Sequence, residues 1–232
     1  MISVVIPAFN EEKYLGSCLD SLCRQKTSER FEVVFVDNNS SDKTIEIAKK
    51  YMKKLNLRIL SEKRKGAGPA RAKGFSNAKG EFILSTDADT IVPENWIETL
   101  YKKLSKEGIG AVTGPCIIKD CGIIKNTIFN AILPLAMHIY RILFGHYWLS
   151  GYNYGIRKSI YKKSGGINQK VRMMDDVDLS FRVSKVGRIV FSRCAVISSG
   201  RRFRHGLIKG ILPYFTNFFK YFILKRKDKN IY

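Results

Sequence analysis

Up to Gly114 the chain repeats one pattern, a short apolar run followed by a segment with helical spacing. Few architectures other than an α/β sandwich can use that pattern. Ile2–Ile6 is continuously apolar and closed by Pro7, as in a strand buried on both faces. Asn10, Glu11 and Glu12 then open a helix in which Leu15, Cys18, Leu19 and Leu22 share one face. Phe31–Val36 and Leu57–Leu60 read as the next two strands, separated by a helix carrying Ile45, Ala48, Met52 and Leu55. Pro69 suits the first turn of a further helix, continued by Ala70, Phe75 and Ala78. The strand Phe82–Thr86, a helix from Pro93 with Trp96, Ile97, Leu100 and Leu104, and a strand over Gly110–Gly114 complete the series. Strands alternating with helices imply a doubly wound, mostly parallel sheet.

An open sheet of this kind binds ligands at the carboxyl ends of its strands. Phe82–Thr86 runs directly into Asp87 and Asp89, hard oxygen ligands suited to Mg²⁺ or Mn²⁺, which in turn holds phosphate oxygens. Asp37 ends the second strand, where it can accept hydrogen bonds from a base or ribose. Lys65 and Arg71, in and just after the basic loop 63–68, can neutralise phosphate charge. Taken singly, a turn cap at Asp87, a helix cap at Asp37 and a solvated basic loop explain these residues equally well.

The second half has a different texture. Residues 128–149 are almost continuously apolar and nearly long enough to span a bilayer, but Pro134, Arg141 and two histidines favour a buried or interfacial helix pair. Gly151–Gly166 reads as polar and turn-rich. Asp175, Asp176 and Asp178 precede Leu179, Phe181 and Val183, and Arg188–Phe191 and Ala195–Ile197 read as closing strands. The segment from Gly200 opens on Arg201, Arg202, Phe203, Arg204 and His205, continues as an apolar helix kinked at Pro213, and ends in the charged stretch 225–229. The net charge of +21 calls for an anionic partner: nucleic acid, an anionic membrane surface or a phosphorylated substrate. Five cysteines without a C-x-x-C pair argue against zinc or a disulfide framework, and favour a reducing, cytoplasmic setting. The N-terminus lacks the basic region and long apolar run of a signal peptide.

The ordered set VVIPAFNEE, VDNNSSDKT, GAGPARAKG, GEFILSTDAD, GYNYGIRKS, GGIN and DDVDLSFRV resembles the family 2 glycosyltransferases of GT-A fold, over about Ile2 to Val183. That resemblance implies a Rossmann-like α/β/α sandwich and transfer of a sugar, with inversion, from a nucleotide-sugar donor, usually with Mg²⁺ or Mn²⁺. It implies that Pro7, Ala8, Phe9 and Glu11 line the nucleotide pocket beside Asp37 and Asn38. It further implies that Asp87, Ala88 and Asp89 form the D-x-D motif, with Asp89 the more direct metal ligand, and that Asp176 is the catalytic base. Two residues depart from the pattern. Asn38 stands where many members carry a second acid, and Asp175-Asp176 where Glu-Asp is frequent.

Around this site, Asn153, Arg157 and Asp175 are candidates for acceptor contacts or support, and His205 for a reach to the metal from the tail. Trp148 and Tyr152 could stack on a sugar, with packing as the alternative. The expected organisation is a GT-A domain over 1–200 and a basic amphipathic tail over 201–232 that lies in an anionic membrane interface. The enzyme would then be peripheral on the cytoplasmic face, taking a UDP-sugar first, with GDP- or dTDP-sugars as the alternatives. Its acceptor would be lipid-linked or a saccharide. Two other readings compete. A nucleic-acid-binding protein would account for the charge, but acids rather than bases gather at the strand ends. A nucleotidyltransferase would share the metal and nucleotide chemistry but has no need of the D-D-x-D-L stretch.

Overall fold

The computed structural model describes residues 1–168 and 174–227. Among the described residues, strands and α-helices follow in the order β1 (Ile2–Ala8), α1 (Leu15–Cys23), β2 (Phe31–Asp37), α2 (Thr44–Tyr51), β3 (Leu57–Ser61), α3 (Ala67–Asn77), β4 (Phe82–Ser85), β5 (Thr90–Ile91), α4 (Trp96–Leu104), β6 (Ile109–Thr113), β7 (Cys116–Ile117), α5 (Ile123–Phe144), β8 (Tyr154–Arg157), α6 (Lys158–Lys163), α7 (Asp175–Val183), β9 (Arg188–Phe191), β10 (Val196–Ser198) and α8 (Leu207–Lys227). A 3-10 turn, Arg201–Phe203, joins β10 to α8.

Seven strands form the main sheet in the order β3-β2-β1-β4-β8-β6-β9. All pairs are parallel except those of β8, which runs antiparallel to both β4 and β6. A small sheet, β5-β10-β7, sits beside it. Side chains alternate between two cores along β1: Ile2, Val4 and Ile6 join Leu15, Leu19, Trp96 and Leu100 on one side, whereas Val5 joins Ala70, Phe75 and Leu179 on the other. This is the α/β/α sandwich, and each fully buried aliphatic side chain in it contributes roughly 1.5–3 kcal/mol of transfer free energy. The five cysteines are all free.

Three sequence expectations change. Gly151–Gly166 is not merely turns but contains β8 and α6. Gly155 reads as a turn residue, yet it lies mid-strand because a Cβ there would stand 2.5 Å from Leu84 and 2.8 Å from Leu104. The apolar stretch expected as a helix pair is one helix, α5, of 22 residues, with Pro134 inside it. A lone proline kinks a helix but need not end it. α1 begins at Leu15 rather than Asn10, after a turn closed by the Leu15 N–H on the Glu11 carbonyl at 2.9 Å. The side chains of Phe215 and Phe222, and the charged stretch 225–229, which were part of the expected apolar and basic faces of the tail, lie outside the described side chains.

The α3–sheet contact is set by Gly74, where a Cβ would fall 2.3 Å from Val5 Cγ1 and 3.1 Å from Val36 Cγ2. Both neighbours are β-branched side chains on central strands and cannot rotate away. Gly74→Val therefore lowers the unfolding free energy by roughly 1–3 kcal/mol despite a better helix propensity, with the urea midpoint as the readout.

Candidate functional site

Because β1, β2 and β4 are parallel and in register, Ala8, Asp37 and the Asp87–Asp89 turn all emerge on one edge of the sheet. Antiparallel β8 enters from that edge, so Gly151 to Asn153 lie beside the carboxylates while Arg157 is carried to the far end. A cavity of about 520 Å³ opens at this edge. Pro7, Ala8, Phe9, Glu11, Asn38, Lys65, Arg71, Asp87, Ala88 and Asp89, all expected from the sequence, line it.

Arg71 organises the floor. It is 4% exposed, and its guanidinium meets Asp175 at 2.8 Å, Asp87 at 3.1 Å and the Ser85 hydroxyl at 3.3 Å. Burial opposes its charge, but Asp175 and Asp87 outweigh burial and hold the proton more tightly than usual. Ser85 donates onward to the Gly151 carbonyl at 3.0 Å. Gly151 must lack a side chain, since a Cβ would stand 2.6 Å from Arg71 Nη2. The charge expected for donor phosphate is thus directed largely to the protein's own carboxylates, although Arg71 still borders the cavity.

Asp175 and Asp176 begin α7, where the helix N-terminus favours negative charge. Asp176 accepts from the Gly151 N–H at 3.0 Å and the Val177 N–H at 2.8 Å; it is half-buried and, like Asp175, is not among the residues that line the cavity, which it meets through the neighbouring Gly151–Tyr152 segment. Burial and the neighbouring Asp175 charge nevertheless push its carboxyl above the ordinary aspartate value. Asp178 has a separate role: it pairs with Arg182 at 2.6 Å and accepts from Tyr221 of α8 at 2.8 Å.

At the outer wall, Arg201 donates to Glu11 and lies 3.2 Å from Asp89, its guanidinium 5.1 Å from the centre of the Tyr14 ring. Asp89 is pushed up to about 6 by burial and by Asp87, against the opposing charge of Arg201. Among the described residues no three His, Cys, Asp or Glu side chains form a self-sufficient metal cluster. The donor set still fits a hard divalent cation. Asp89 and Glu11 already share one positive group, and a cation bound by one or two carboxylates commonly completes its shell with substrate phosphates and water.

Several expected residues are placed otherwise. Asp37 is 2% exposed, does not line the cavity, and accepts from the Asn39 and Ser40 N–H groups at 3.1 and 3.2 Å, so its carboxylate holds the turn that follows β2. Asn38 donates to the Glu62 and Arg64 carbonyls and accepts from Gly66 N–H, so its amide shapes the basic loop carrying Lys65. Asn153 is buried, bonded to Trp96, Pro115 and Cys194, which makes it a packing residue. Arg157 bonds the Ile109 and Lys106 carbonyls at the opposite edge, because β8 is antiparallel, and the cavity does not include it. His205 is exposed and does not line the cavity. Trp148 packs on Tyr140, with ring centres 5.0 Å apart, whereas Tyr152 lines the cavity.

The cavity also takes Phe129 from α5, Arg201, Arg202 and Phe203 from the 3-10 turn, and Tyr214 from α8. Sequence periodicity missed these because it reports helix faces, not what they meet. The one available signal is the dense Arg201–Arg204 cluster, which the sequence alone assigns to the membrane-facing tail. Arg71→Met leaves Asp87 and Asp175 without their buried counter-charge, and lowers the unfolding free energy by about 3–5 kcal/mol. Arg71→Lys recovers only part of this, since an ammonium lacks the planar fork that spans both carboxylates; urea denaturation of the two variants measures both.

The same fold occurs in solved structures. Staphylococcus aureus TarS, residues 1–349 in complex with UDP-GlcNAc, superposes with a TM-score of 0.71 at 24% identity, over 86% of this chain and 58% of that one. The mannosyltransferase PcManGT from Pyrobaculum calidifontis, in complex with GDP-Man and Mn²⁺, superposes at 0.68 and 21% identity, over 93% and 64%. In sequence, glycosyltransferase GlyG of Streptococcus pneumoniae is 42% identical over 117 residues, 49% of this chain and 38% of GlyG. The chain thus spans well under half the length of that relative. Residues 3–174 match the model of the family described as Glycosyl transferase family 2. That match covers most of the sequence and contains Glu11, Asp87 and Asp89, and the chain belongs to glycosyl transferase family 2.

Proposed function

We propose that this protein is an inverting, divalent-metal-dependent glycosyltransferase that moves a sugar from a nucleoside diphosphate donor to a hydroxyl or lipid-phosphate acceptor. The observation that carries the reading is the single cavity in which Asp87, Asp89 and Glu11 meet Lys65 and the N-terminus of α3, with Asp176 tied to the adjoining Gly151. Donors seen with the structural neighbours, UDP-GlcNAc and GDP-Man, support a nucleotide-sugar, and a UDP-sugar is the first choice over GDP- and dTDP-sugars. Membership of this family does not support the nucleic-acid-binding or nucleotidyltransferase readings.

The residues divide the work by charge. Pro7, Ala8 and Phe9 supply an apolar wall for the nucleoside, with Asn38 fixing the loop that brings Lys65 to the diphosphate. Asp89, with Asp87 beside it, would hold Mg²⁺ or Mn²⁺, which when bound offsets the charge growing on the departing diphosphate. Lys65 and the α3 N-terminus, which also line the cavity, supply further positive charge. Asp176 removes the acceptor proton as the hydroxyl attacks, and its raised pKa suits a general base. Arg71 keeps Asp87 and Asp175 fixed while this happens.

The proposal includes a location. The α8 residues Ile208, Leu212 and Phe219 are exposed near Lys209 and Lys220, which supports a peripheral enzyme at the cytoplasmic face of the cell membrane, acting on a lipid-linked or saccharide acceptor.

Two substitutions separate binding from transfer. Asp89→Ala abolishes Mn²⁺-dependent UDP binding in calorimetry; unchanged binding removes Asp89 from the site. Asp176→Asn keeps donor binding and lowers transfer by about a hundredfold or more; normal transfer rejects it as the base. The base must be ionised, so with saturating metal and donor the rate falls as pH drops through the raised Asp176 pKa. The acidic limb of the rate profile therefore lies above the ordinary aspartate value near 4, and it disappears in Asp176→Asn.

A further inference from the structure

Helix α5 has the composition of a core helix without the burial. Its mean hydropathy reaches 1.4, yet 11% of that stretch is buried, and the buried side chains are Met137 and Tyr140. Ile124, Ile128, Ile132, Leu135, Ile139 and Ile142 are 41 to 82% exposed. Their steps of four, four, three, four and three residues place them in one stripe along the helix. A contiguous apolar surface of this length marks an interface rather than ordinary exposure.

α8 lies alongside. Phe203, just before α8, meets Phe129 of α5 at 4.7 Å between ring centres, and Phe218 meets Phe144 at 5.7 Å. Contacts in the same chain order mean the two helices run in the same direction. α8 turns Ile208, Leu212 and Phe219 outward as well.

Charge identifies what covers this surface. Beyond Asp120 the sequence carries 21 Lys and Arg against four Asp and no Glu, which is +17 of the net +21. Neither α5 nor α8 contains an acid. A second copy docked symmetrically would bring two such halves together against their repulsion. An anionic bilayer satisfies the apolar stripe and the positive surround together. α5 does not cross it, because its other face packs on the domain through Met137 and Tyr140 and its length includes His138 and Arg141. The surface is also continuous with the site: Phe129, Phe203 and Tyr214 on the inner side line the cavity.

We propose that the outward stripe of α5, with the adjoining stripe of α8, seats in the headgroup–acyl boundary of an anionic bilayer and holds the acceptor side of the cavity against the membrane. This deepens the location proposed above by naming its surface, but docking itself does not depend on the transfer chemistry.

Flotation of the full chain tests it, using phosphatidylcholine vesicles with and without about 30% phosphatidylglycerol. The chain floats with the anionic vesicles and less with the neutral ones, and added salt weakens it. Ile124→Gln/Leu135→Gln/Ile142→Gln lowers vesicle partitioning by about tenfold or more, while its melting temperature and Mn²⁺-dependent UDP binding match those of the unsubstituted chain. Equal flotation of the triple variant, no flotation of the full chain, or a dimer in light scattering that the substitutions dissociate would each overturn the proposal. Flotation lost in the variant while neither chain binds UDP upholds the surface and removes the donor-binding reading instead.

Discussion

The buried guanidinium of Arg71 is the contact on which the rest of the site depends. It joins α3 to the turn after β4 through Asp87 and to the start of α7 through Asp175, more than a hundred residues later. Burying the Arg71 and Asp175 charges, with Asp87 only partly covered, is unfavourable, and an apolar substitute for the buried pair could be as stable. What the arrangement secures is position: the Asp87–Asp89 turn and the Asp175–Asp176 pair are referenced to one rigid, planar cation. Gly151 completes it, because the absence of a side chain lets its backbone lie on Arg71 while its N–H reaches Asp176.

Much of this was legible in the sequence, and the limits follow from the physics. β1, β2 and β4 are buried on both faces, so apolar runs located them, and parallel pairing then brought their ends together. Residue type identified Arg71 as an anion partner. Nothing local could show that the anions are Asp87 and Asp175, because that pairing exists only once the sheet has closed. Gly155 misled for the same reason, its missing side chain answering to Leu84 and Leu104 rather than to a turn. Arg157 depended on the direction of one strand, which composition does not encode. Phe129 and Tyr214 carry no individual signal in the sequence, since periodicity reports a face and not its neighbour.

The segment after Gly200 joins what the sequence divides. Its charge and apolar content differ from those of the sandwich, yet Arg201 bonds Glu11, Tyr214 borders the cavity and Tyr221 reaches Asp178. An element with few core contacts can be held by a small number of polar anchors, and each of these anchors ends on a carboxylate or on the cavity wall. The site and the outward helices are therefore parts of one packed unit.

Five carboxylates, Glu11, Asp87, Asp89, Asp175 and Asp176, gather around two guanidinium groups, Arg71 and Arg201, in a protein whose overall charge is +21. The sign of the field therefore reverses along the approach. Out to a Debye length of about 8 Å the surface attracts anions; within contact distance of the Asp87–Asp89 turn it repels them. For the donor proposed above, capture and seating become separate selections, the first admitting almost any phosphate and the second favouring one that brings positive charge of its own.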